Sequence, residues 1–104
     1  MTEEQLAIRK KVLIQRTFAS LDILQQEKLA ESVADYLDRV IKAAKEFYGE
    51  MTVDGPLDSV EFVDFTWSLL HTIRLVCFQK IHDETKSFVK SELETIESEL
   101  EYFA

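Results

Sequence analysis

Both glycines and the only proline of this 104-residue chain lie between positions 49 and 56, inside the stretch GEMTVDGPLD. Elsewhere the chain has no residue that reaches positive φ without strain and none that presets a turn. So few turn formers argue against a sheet with many tight reversals and for long helices with few connections. GEMTVDGPLD is therefore read as the one certain loop.

Helical periodicity supports this on both sides of the loop. Thr2 with Gln5 has the spacing of a capping box, and Glu3 and Glu4 follow in the first turn, where the helix dipole favours acids. A first helix is expected over about 3–19, with a diffuse apolar face of Leu6, Leu13, Ile14 and Phe18. Ser20 and Asp22 are capping residues, so a break is expected between them. The second helix, about 23–48, carries Leu29, Val33, Tyr36, Val40, Ala43 and Phe47 at alternating spacings of four and three. Leu37, Ile41 and Ala44 widen that stripe, as in a bundle helix with more than one neighbour.

Asp58 and Glu61 repeat the capping-box spacing ahead of a third helix, about 59–82. A fourth, about 84–103, bears the heptad seam Val89, Leu93, Ile96, Leu100 and Phe103. The last two could also run on as one helix. Short connections favour antiparallel neighbours. The expected architecture is all-α: an up-down four-helix bundle, a single helical domain over 1–104, and self-associating. Such a path would set Arg9, Lys10 and Lys11 beside Glu92, Glu94, Glu97, Glu99 and Glu101.

The net charge of −8 disfavours nucleic acid, whose binding depends on neutralising phosphates. It also disfavours anionic membrane surfaces and is compatible with a basic partner. Cys77 is the only cysteine, which excludes an intrachain disulfide and a thiolate metal cluster. The charged start of the chain lacks the apolar core of a signal peptide. The apolar run after Trp67 is broken by His71 and Arg74 and is too short to span a bilayer. These features point to a cytoplasmic protein.

The third helix, which contains VEFVDFTWSLLHTIRL, is the most informative segment. At roughly 100° per residue, Glu61, Asp64, Ser68, His71, Thr72, Gln79 and His82 share one arc, with Leu75 as its only apolar member. The rest of the circumference is apolar, with Phe65, Trp67 and Phe78 on the flanks. A helix this apolar needs cover on most sides. A second chain supplying part of it implies a homodimer or an obligate partner. Phe65, Trp67 and Phe78 are the candidate partner-binding residues, because aromatic side chains dominate interface hot spots.

The polar arc is either a solvent face or a cleft. Glu61 and Asp64 form an i, i+3 pair able to share a cation, and Asp35 and Asp38 repeat the spacing on the second helix. Asp35-x-x-Asp38 followed by Glu61-x-x-Asp64, opening a long apolar helix, resembles the acidic signature of the all-α nucleoside triphosphate pyrophosphohydrolases. That resemblance implies an oligomeric Mg²⁺ enzyme splitting nucleotides between the α and β phosphates, with these four carboxylates as metal ligands. The chain departs from the family in its first pair, Asp in place of the usual Glu, and in lacking a clear downstream Lys and Asn motif.

Other chemistry is poorly represented. His71 and His82 are about three helical turns apart, too far to share a metal on one straight helix. There is no Glu-x-x-His pair, nucleophile elbow or glycine-rich phosphate loop. The expected function is therefore protein–protein binding without catalysis and without a cofactor, as in an inhibitor, immunity protein, antitoxin or regulatory adaptor. The Mg²⁺ hydrolase is the alternative, and a structural subunit of an oligomer a second one.

Overall fold

The computed structural model describes residues 2–53 and 59–103. They form four α-helices, α1 (Glu3–Gln25), α2 (Glu31–Val53), α3 (Ser59–Cys77) and α4 (Asp83–Leu100), and a short 3-10 helix at Glu101–Phe103. There is no strand among the described residues. The helices pack as a bundle. α1 and α3 each touch the other three helices, whereas among the described residues α2 and α4 do not touch one another.

The start of α1 is built as expected. The Gln5 N–H donates to Thr2 Oγ1 (3.1 Å) and the Thr2 N–H to Gln5 Oε1 (3.0 Å), closing the capping box. The expected break between Ser20 and Asp22 does not occur, and α1 continues to Gln25. Ser20 and Leu21 are fully buried, so ending the helix there would expose backbone groups inside the core. The second helix accordingly begins at Glu31 rather than near 23, after a connection over 26–30.

Gly49 does not stop α2, which continues to Val53. The first part of GEMTVDGPLD is thus helical. The rest of it, with Asp58 and its expected capping box, lies outside the described residues. α3 ends at Cys77 instead of near 82, and α3 and α4 are separate. The Phe78 and Gln79 N–H groups donate to Leu75 O and Val76 O in a closing turn. His82 then takes extended backbone as the N-cap of α4. The α4 seam ends at Leu100, with Phe103 in the 3-10 turn.

One core links the helices. Leu13, Leu21 and Leu24 of α1, Leu37 and Ile41 of α2, Phe62, Leu70 and Ile73 of α3, and Val89, Leu93, Ile96 and Leu100 of α4 are all buried. Each such side chain contributes about 1.5–3 kcal/mol on leaving water. An aromatic cluster joins α2 to α3: Phe47 stacks on Phe65 at 3.9 Å, and Tyr48 meets Phe65 edge-on at 5.3 Å. Beneath it, Tyr48 Oη and Thr66 Oγ1 share a buried hydrogen bond of 2.8 Å.

Two ion pairs cross from α1 to α4, Arg9–Glu99 at 3.8 Å and Arg16–Glu92 at 3.4 Å. The start of α1 therefore lies beside the end of α4. All four side chains are partly exposed, so each pair contributes at most about 1 kcal/mol. No described helix is long and apolar enough to cross a membrane.

Candidate interaction surface

The side of α3 turned away from the core is the most unusual surface of the bundle. Phe62, Thr66, Leu69, Leu70, Ile73 and Val76 face inward. Taking Val60 as zero and about 100° per residue, these buried positions cluster near the opposite side. The exposed positions are Val60, Glu61, Asp64, Trp67, Ser68, His71, Leu75 and Phe78. Half of them are large and apolar: Val60 is 63% exposed, Trp67 41%, Leu75 48% and Phe78 82%.

The three aromatic residues singled out from sequence separate here. Trp67 and Phe78 stand on the exposed arc. Phe65 is turned sideways against Phe47 and Tyr48, where it holds α3 to α2. Val60 and Leu75 were missed as members of an apolar face. The available signal was their register: Val60 lies seven residues before Trp67, and Leu75 three before Phe78, so both project near the same side.

The polar members of the arc are Glu61, Asp64, Ser68 and His71, and all four are exposed. Asp35 and Asp38 are exposed on α2, and Asp38 accepts a hydrogen bond from Gln25 Nε2 of α1 (2.9 Å). The described residues contain no group of three or more His, Cys, Asp or Glu able to hold a metal ion. Cys77, half-buried at the end of α3, has its thiol pushed above the ordinary value by burial, against weaker opposing pulls from Lys86 and Arg74. That keeps it protonated and a poor nucleophile at neutral pH.

A groove of about 180 Å³ between α1 and α4 is lined by Ile8, Arg9, Val12, Leu13, Arg16, Thr95 and Glu99. It is smaller than the roughly 300–1,000 Å³ of ordinary small-molecule sites. At one end of the bundle, Glu27 of the 26–30 connection reaches the start of α4. Its carboxylate accepts from the His82 N–H (3.2 Å) and from His82 Nδ1 (2.7 Å). A hydrogen bond from the Thr85 side chain, followed by those from His82, holds Glu27 below its ordinary pKa. The bond to Glu27 in turn raises His82. His82 makes no side-chain cap of its own, so Glu27 serves α4 as a cap borrowed from another part of the chain.

No protein-family model matches the chain, and no curated protein or solved structure matches it.

Proposed function

We propose that this chain is a small acidic helical protein that acts by binding another protein through the outward face of α3, with no catalysis of its own. The inhibitor, immunity, antitoxin and regulatory-adaptor types share that mode of action. The observation that carries the reading is the exposure of Val60, Trp67, Leu75 and Phe78 along one side of a helix whose other side is fully packed. Several large apolar side chains exposed along one side of a helix, with polar residues between them, mark an interaction site more readily than one scattered exposed residue does. Trp67 and Phe78 are aromatic anchors of the kind that concentrate binding energy. The polar residues between them give such a surface its mixed character. The ion pairs from α1 to α4 and the ring contacts between α2 and α3 support an up-down path that leaves this face outermost. A single cysteine, which can form no intrachain disulfide, is compatible with a cytoplasmic setting.

A photo-crosslinking amino acid placed at Trp67, and in a separate protein at Glu94 on the acidic α4 surface, tests the reading in the cell of origin. The expected result is a discrete protein adduct from position 67 that is lost on adding Phe78→Glu, with none from position 94. Equal labelling from both positions, or none from 67, would refute it.

A further inference from the structure

Resting on that reading of α3, we infer that the partner of this face is a second copy of the chain, paired antiparallel along α3. The side chains on the Trp67 side of the face, with the half-buried Arg74 at its edge, form a stripe with alternating spacings of four and three: Val60, Asp64, Trp67, His71, Arg74 and Phe78. The stripe is its own complement. A twofold axis through position 69 carries residue i onto residue 138 − i, so Val60 meets Phe78, Asp64 meets Arg74 and Trp67 meets His71. Each meeting occurs twice, as an isologous contact requires.

Charge selects this occupant. The chain as a whole carries −8, so two copies repel over most of their surfaces. On the stripe, one acid and one base cancel and are separated end to end. Antiparallel pairing sets Asp64 of one copy against Arg74 of the other at both ends. Parallel pairing would oppose Asp64 to Asp64 and Arg74 to Arg74. A uniformly basic partner would satisfy Asp64 and repel Arg74. Arg74 already bridges Glu97 of α4 within its own chain, and its guanidinium, with five N–H donors, can take a second carboxylate. The face is small. A helix of 19 residues is about 28 Å long and 10 Å across. It offers about 300 Å², against about 800 Å² per partner in a stable interface. The dimer is therefore weak and dissociates on dilution.

Sedimentation equilibrium of the intact chain from micromolar to millimolar concentration tests the pairing, with helical circular dichroism as the folding check. Wild type should pass from monomer to dimer. Asp64→Arg alone, and Arg74→Asp alone, should each raise the dissociation constant by up to about 30-fold, because the twofold doubles a pair effect of up to about 1 kcal/mol. An equimolar mixture of the two variants should form a heterodimer, and Asp64→Arg/Arg74→Asp in one chain should recover dimerisation. If Arg74→Asp, which also loses the bridge to Glu97, does not fold, Asp64→Arg against wild type still decides, since Asp64 is exposed. Wild type that stays monomeric at every concentration overturns the proposal while leaving the protein-binding reading to the crosslinks from position 67. A dimer indifferent to both charge reversals, or one in which Asp64→Arg prefers wild type to Arg74→Asp, overturns the antiparallel register. A dimer that survives Trp67→Glu forms elsewhere and overturns both the inference and the role of the α3 face in self-association.

Discussion

Replacing Tyr48 with Phe should change stability in opposite directions at neutral and alkaline pH. The Tyr48 ring is packed among Phe18, Phe47, Phe62 and Phe65, and Phe keeps those contacts. What is lost is the 2.8 Å hydrogen bond between the phenol and Thr66 Oγ1, worth about 1 kcal/mol net. The freed Thr66 hydroxyl has an alternative acceptor in the carbonyl four residues back, as Thr17 already has in Leu13 O (2.7 Å), so it is not orphaned. At neutral pH Tyr48→Phe should therefore be about 1 kcal/mol less stable than wild type. Burial also pushes the Tyr48 pKa from the ordinary 10 up to about 12, with the Thr66 bond pulling weakly the other way. A group whose folded pKa is raised contributes its full stability below the unfolded pKa and loses it as pH rises through the folded one. Between pH 10 and 12, wild type should lose up to about 2.7 kcal/mol through Tyr48, at about 1.4 kcal/mol per unit. Tyr48 is only 4% exposed, so solvent screening removes little of this. Phe has no such loss, and all other titrating groups are common to both proteins. The two stabilities should therefore cross near about pH 11. Urea denaturation of both proteins at neutral pH and at about pH 11 measures the difference directly. A difference that does not change with pH would refute the assignment of a buried, proton-retaining phenol.

Further expectations concern the core, the loop clasp and the acidic pairs. Phe62→Ala, at a fully buried position between Tyr48 and Phe103, should cost about 3–5 kcal/mol, whereas Trp67→Ala, at a side chain 41% exposed, should cost less, about 1–2 kcal/mol; chemical melts of the two variants check the contrast. Glu27 is lowered and His82 raised, so their clasp stabilises the fold between those two pKa values. It weakens as pH falls through that of Glu27 and again as it rises through that of His82. An NMR titration of the His82 imidazole should show a midpoint above the ordinary value that falls back toward it in Glu27→Gln. Thermal melts with and without Mg²⁺ should superimpose for wild type and for Asp64→Asn. A rise in wild type that Asp64→Asn abolishes would place a metal at Glu61 and Asp64 and favour the hydrolase alternative.

The presence of helices was legible in their periodicity, the buried side less evenly: on α2 the expected stripe includes Tyr36 and Ala43, which are exposed, and the core is the neighbouring Leu37, Ile41, Ala44 and Tyr48; helix ends are decided by tertiary contacts. α4 announces itself by Val89, Leu93, Ile96 and Leu100, all of which are buried. The α1 seam is Leu13, Thr17, Ser20 and Leu24, with Leu21 beside it. It has the same spacing, but two of its members are hydroxyl residues. Thr17 conceals its polarity by bonding to Leu13 O, and no letter code signals that. Reading Thr17 and Ser20 as polar erased the seam, and reading Ser20 as a cap ended the helix early. α1 runs on to Gln25 because Ser20 and Leu21 are buried, and the connection after it is held by Glu27 reaching His82, 55 positions later, which local sequence cannot anticipate.

The outward face of α3 was half legible for a related reason. Periodicity establishes that a helix has an apolar side, but α3 has two. One is Phe62, Leu69, Ile73 and Val76, and the other is Val60, Trp67, Leu75 and Phe78. Their separation on the helix is about half a turn, so sequence alone sees one broad apolar circumference interrupted by Glu61, Asp64, Ser68 and His71. Which side turns inward is decided by its neighbours. Phe62 fits beside Tyr48 of α2 and Phe103 beyond α4, and that seating rotates Trp67 and Phe78 into water. Full burial of large apolar side chains such as these is worth about 1.5–3 kcal/mol each. Phe78, 82% exposed, leaves most of that free energy unrealised and Trp67, 41% exposed, somewhat under half, and a second surface laid along α3 would supply it.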